Sequence, residues 1–119
     1  IATIMPLLGM PLIMREEILT DIAGFEGVKW VVIIGPDALS IEHSPREIDI
    51  EKYVANWHAL ESKSPENTKK IHVKAENALL FSEKIDDAHM LLVGADMSSN
   101  VGAIRSKISD EVGKLMHFL

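Results

Sequence analysis

Apolar residues along this chain recur now at helical spacing, now at strand spacing, with glycine, proline and aspartate between the runs. The helical spacing of Leu12, Arg15, Ile18, Leu19 and Ile22 predicts a first helix from about Pro11 to Ala23, with Gly24 as its stop and Glu16, Glu17 and Asp21 facing water. Val28 to Ile34 is β-branched and apolar at nearly every position, as expected of a strand covered on both faces. Gly35-Pro36-Asp37 then turns the chain into a second strand from Ala38 to His43, making a hairpin. Ile50, Tyr53, Val54, Trp57 and Leu60 give a second helix one strongly apolar face. Lys70-Ile71-His72-Val73-Lys74 alternates strictly, the pattern of a half-buried strand at a sheet edge. Two further strands follow, Ala78 to Ile85 and His89 to Ala95. A last helix runs from Asn100 to Leu119, with Val101, Ile104, Ile108, Val112, Leu115 and Leu119 on one stripe.

This order, helix, two strands, helix, three strands, helix, predicts an α+β domain. Turns of hairpin length join the first two strands and the last three, so the strands form one five-stranded antiparallel sheet and the middle helix carries the long crossover. Within the stretch from Leu91 to Arg105 an apolar strand passes through a small polar turn into a helix. Ser98, Ser99 and Asn100 are placed to cap the free amides of that helix, and Asp96 to support the turn. Gly102 costs the helix roughly 1 kcal/mol relative to alanine, which predicts that its backbone lies close on the sheet.

Composition narrows the class. A chain of 119 residues with 47% apolar content supports one compact domain. Its net charge of -6, without a basic stripe, argues against nucleic acid or an anionic membrane as the main partner. The absence of cysteine excludes a disulfide framework and thiolate zinc sites, and is compatible with a cytoplasmic setting. Residues 1–14 are uncharged and apolar. A membrane-spanning helix needs about 20 such residues, and Pro6, Gly9 and Pro11 interrupt this run. The expectation is therefore an apolar N-terminal arm over 1–14 and a folded domain over 15–119.

The element order, together with the closing motif, resembles the roadblock/dynein light chain domain family. The strand ending in Ala95-Asp96 and the helix opened by Asn100-Val101-Gly102-Ala103-Ile104-Arg105 carry the resemblance, with weaker support from Gly27-Val28. Asp96, Asn100, Gly102 and Arg105 are the matching motif positions, read as structural. Gly35-Pro36-Asp37-Ala38 departs from the family's usual aspartate-glycine turn, and the N-terminal arm is additional. The resemblance implies a five-stranded sheet with the first and last helices on one face and the middle helix on the other. It also implies dimerisation through the middle helix and third strand into a ten-stranded sheet, and action on small Ras-like GTPases, or within dynein and lysosomal complexes, without catalysis.

The residues themselves point to a similar seam. An unpaired edge strand is a template that a second copy extends, and aromatic residues are enriched in interface cores. Tyr53, Val54, Trp57 and Leu60 on the second helix, with Lys70, Ile71, His72, Val73 and Lys74 on the third strand, are the candidate dimer interface. The competing reading packs Tyr53 and Trp57 on the monomer's own sheet. Candidate chemistry is thin. His43, His58, His72, His89 and His117 are scattered with no i, i+4 pair on a helix, which argues against a metal site. The turn before Gly102 lacks the lysine and adjacent serine or threonine of a phosphate loop, which argues against a nucleotide cofactor. Together with what the resemblance implies, this favours a homodimeric, non-enzymatic regulator or scaffold of a small Ras-like GTPase over an assembly subunit without such a partner, and over a small hydrolase or sensor domain.

Overall fold

The computed structural model describes residues 4–37, 39–61, 70–74 and 78–119, with side chains left aside over 4–12, 59–61 and 70–73. Its elements are α1 (Ile4–Ala23), β1 (Val28–Ile34), β2 (Ser40–Ser44), α2 (Ile50–Glu61), β3 (Lys70–Lys74), β4 (Leu79–Lys84), β5 (Met90–Ala95) and α3 (Val101–Leu115). The strands lie in the order β2-β1-β5-β4-β3, and every neighbouring pair is antiparallel.

Strand position explains strand composition. β1 and β5 are inner strands covered on both faces, so Val31, Val32, Ile33, Leu91, Leu92 and Val93 are all fully buried. Alternation divides them between two cores. Val31, Ile33, Leu91 and Val93 meet Ile18, Leu19 and Ile22 of α1 and Ile104, Ile108, Val112 and Leu115 of α3. Trp30, Val32, Ile34 and Leu92 meet Ile50, Val54 and Trp57 of α2. The first and last helices therefore share one sheet face and the middle helix holds the other. Each buried aliphatic side chain contributes about 1.5–3 kcal/mol of transfer free energy, and the register Val31↔Val93 and Val32↔Leu92 keeps both faces in step.

Two glycines serve close approach. Trp30 and Gly94 are register partners on β1 and β5. A Cβ on Gly94 would stand 2.2 Å from the Trp30 ring, which itself packs on Tyr53 of α2 at a centroid distance of 4.9 Å. Gly27 has φ +92°, and a Cβ there would stand 2.3 Å from Ser99 Oγ. Gly102, by contrast, is exposed and has only Asn100 Oδ1 within van der Waals reach, at 3.6 Å. The predicted close approach belongs to Gly94 and Gly27, not to Gly102.

Boundaries also differ. α1 begins at Ile4 rather than near Pro11, so residues 4–14 lie in the same helix as those that follow. Pro6 falls within the first turn, where amides have no helical partner, and Pro11 removes one bond inside. β2 begins at Ser40; Ala38 lies outside the described residues. Ile33 pairs with Glu42 and Ile34 with Ser40, leaving Ile41 as the extra residue of a bulge on this edge. α3 ends at Leu115, and Met116 to Leu119 leave the helix, so Leu119 is 36% exposed rather than on the buried stripe.

Candidate functional site

The sequence nominates a seam formed by α2 and β3. β3 ends the strand order and pairs with β4 through Ile71↔Ser82, His72↔Phe81 and Val73↔Leu80, so among the described residues its other backbone edge is unpaired. α2 starts beside the opposite edge, where Ser40 Oγ donates to Glu51, and packs over Trp30, Val32, Leu92 and Leu80.

Burial divides the nominated residues. Trp57 is fully buried and Val54 is 3% exposed, both in the chain's own core, so neither offers surface to a second copy. The apolar spacing of α2 is consumed by the monomer. Tyr53 is half-buried on Trp30, while Glu51, Lys52, Ala55 and Asn56 form the exposed side of the helix. Lys74 is exposed. The side chains of Leu60, Lys70, Ile71, His72 and Val73 lie outside the described residues.

The motif residues Asp96 and Asn100 hold the turn into α3. Asp96 N–H donates to Gly27 O at 2.8 Å, and Ser99 N–H to Asp96 O at 3.0 Å. Asp96 Oδ1 accepts from Ser98 N–H at 3.3 Å. Asn100 Oδ1 accepts from Ala103 N–H at 3.0 Å, capping α3. Arg105 is exposed.

A cleft of about 230 Å³ at the end of the sheet gathers His58, Lys84, Asp87 and an Asp86–His89 pair. Asp86 accepts from Ala88 N–H, His89 N–H and His89 Nδ1, each at 2.8 Å. The His89 hydrogen bond, helped by the Ala88 amide, holds the Asp86 carboxyl below the usual aspartate value of 3.8. These bonds close the β4–β5 turn. Among the described residues, no hydroxyl or thiol lines this cleft and no group of three or more His, Cys, Asp or Glu is placed to hold a metal ion.

Charge is organised on the other face. Asp21 of α1 bonds Lys107 of α3; Lys107 also meets Glu111 at 3.1 Å, and Glu111, 2% exposed, takes Lys114 at 3.1 Å. Glu16 pairs with Arg46 at 2.7 Å. Glu16 and Asp21 are therefore partnered, a correction to the reading of the first-helix acids as a plain wetted face. The Lys107 hydrogen bond, followed by its charge, lowers Asp21; the Asp21 hydrogen bond raises Lys107 against the opposing effect of burial. A depressed aspartate contributes stability above its unfolded value of 3.8 that disappears as pH falls through the folded one. A raised lysine contributes below 10.5 and loses that as pH rises through the folded value. Melting temperature is therefore expected to fall at both extremes, and Asp21→Asn to flatten both slopes in a pH series of thermal melts; unchanged slopes would refute the clasp.

No protein-family model matches the chain, and no curated protein matches its sequence. Solved structures do share its fold. A roadblock/LC7 domain from Streptomyces avermitillis aligns at a TM-score of 0.73 with 18% identity, over 84% of this chain and 96% of that one. The gliding protein MglB from Thermus thermophilus aligns at 0.71 with 13% identity, over 91% and 90%. LokiProfilin2, solved in complex with rabbit actin, aligns at 0.65 with 11% identity, over 89% and 98%. The chain is thus roadblock-like in fold, and no helix among its described residues is long and apolar enough to cross a membrane.

Proposed function

We propose that two copies join along the open edge of β3 and the adjoining surface of α2, and that the resulting ten-stranded sheet serves as a platform regulating a small Ras-like GTPase by contact, without chemistry of its own. The observation that carries the reading is the terminal place of β3 in a roadblock-like sheet, with its outer edge unpaired among the described residues. Main-chain pairing across such an edge supplies affinity without a large apolar patch, which suits a helix whose Val54 and Trp57 are already committed to the core. Tyr53, Leu60 and the segment from Lys70 to Lys74 remain the seam's candidates. The partner copy is an identical chain, and no cofactor takes part.

Regulation requires unequal affinity for the partner's two nucleotide states. Binding of the purified chain to Ras-like GTPases of its own source, loaded with a GTP analogue or with GDP, is expected to differ by at least about tenfold, or 1.4 kcal/mol. Equal binding in both states would favour the reading as an assembly subunit, and absence of binding to any of them would overturn the GTPase role.

A further inference from the structure

The ladder between β3 and β4 assigns a face to each residue of the edge strand. Lys70, His72 and Lys74 stand opposite Glu83, Phe81 and Leu79, and Phe81 and Leu79 belong to the core under α1 and α3. Directly opposed residues of an antiparallel pair share a face, so the basic positions of β3 lie on the α1–α3 side, and Ile71 and Val73 on the α2 side. α1 packs on β1 and β2, and α3 on β4, which leaves β3 beyond both helices.

The last helix adds a cation to the same side. One flank of α3 faces α1 through Lys107 and Asp21, while on the other Ser109 Oγ donates to Glu83 at 2.9 Å, turning that flank toward β3. Arg105 precedes Ser109 by four positions and shares its flank. Arg105 and Lys74 are exposed, and neither forms an ion pair among the described residues. Each copy thus brings Lys70, Lys74 and Arg105 to this side against Glu83, in a chain whose net charge is -6. When two copies pair through β3, the reading on which this step rests, a twofold axis joins the two basic sides into one strip between the α3 helices, which no single copy presents. Pairing about His72, the register that uses all five residues of β3, sets Lys70 of each copy opposite Lys74 of the other, and like charges so placed weaken the seam. An anion lying along the strip offsets that repulsion. A nucleic acid or a bilayer suits it less well, because the chain is net acidic and exposed Asp110 stands on the solvent side of each α3.

We propose that the strip formed by Lys70, Lys74 and Arg105 of two paired copies binds an extended acidic peptide segment of a partner, and that this binding tightens the β3 seam. Because the complete strip exists only in the pair, peptide and pairing favour each other by the same factor. A fluorescein-labelled oligoglutamate peptide is the probe. Anisotropy is expected to show saturable binding that weakens with added salt. Arg105→Glu, at an exposed position outside the seam, should raise the dissociation constant for the peptide at least about tenfold and leave the mass of the free protein unchanged. In sedimentation equilibrium, excess oligoglutamate should lower the dissociation constant of the pair at least about fivefold, and oligoglutamine should leave it as it was. A chain that pairs through β3 yet binds oligoglutamate no better than oligoglutamine, or keeps its affinity in Arg105→Glu, would overturn this proposal alone. Stronger binding of oligothymidylate or of phosphatidylserine vesicles would overturn the peptide as occupant. A chain that sediments as one copy throughout would overturn the seam and the strip together.

Discussion

Trp57→Ala is expected to lower the unfolding free energy by about 3–5 kcal/mol, roughly 10–20 °C in melting temperature. Trp57 is fully buried among Trp30, Val54, Leu80 and Leu92, and alanine leaves a cavity between α2 and the sheet. Trp57→Phe should cost less than half as much. The buried Trp57 Nε1–H has no hydrogen-bond partner among the described residues, and removing an unmet donor recovers part of a penalty on the order of 1–3 kcal/mol. Urea denaturation of the three proteins, compared at equal m-value, measures both differences. If Trp57 belonged to the seam between copies instead, alanine would dissociate the assembly and leave the unfolding midpoint of the separated chain nearly unchanged.

That contrast shows what sequence spacing decides and what it leaves open. The spacing of Ile50, Tyr53, Val54, Trp57 and Leu60 says that α2 has an apolar face, and it is silent on whether that face meets its own sheet or a neighbour's. Packing answers for Val54 and Trp57, which sit under 4% exposed in the second core. The inner strands were easier. Val31 to Ile33 and Leu91 to Val93 are apolar without a break because both faces of β1 and β5 are covered, and a strand buried on both sides has that signature. The edge strand β3 was legible for the opposite reason, since Lys70, His72 and Lys74 alternate with Ile71 and Val73.

Elsewhere the local pattern misleads for identifiable reasons. Two prolines and a glycine before Met14 look like helix breakers, yet α1 starts at Ile4 and carries Pro6 in its first turn, where a missing amide costs nothing. A glycine announces that a side chain is unwelcome without saying what excludes it. For Gly94 the excluding group is the Trp30 ring on another strand, and for Gly27 it is Ser99, whereas Gly102 meets nothing closer than its own cap residue. The pairing of Asp21 with Lys107 spans 86 positions, so no local rule finds it. The i, i+4 spacing of Lys107 and Glu111, and the i, i+3 spacing of Glu111 and Lys114, were open to inspection and reveal half of that clasp.

The second large effect concerns assembly. Successive amides along a strand point to alternate sides, so of Ile71 and His72 one directs its N–H toward β4 and the other toward the open border. Proline at the inward position breaks a bond of the β3–β4 ladder and destabilises the fold. At the outward position it spares the monomer and deprives a second copy of a donor. One of Ile71→Pro and His72→Pro is therefore expected to remain folded while losing the association through β3, and the other to melt earlier.

Sedimentation equilibrium on the unaltered chain and these two variants tests the central claim most directly. The β3 seam predicts at least two copies of the 13.2 kDa chain at micromolar concentration and half the unaltered mass for the proline variant that stays folded. An unaltered chain sedimenting at 13.2 kDa throughout that range, or a folded proline variant that keeps the full mass, would contradict it.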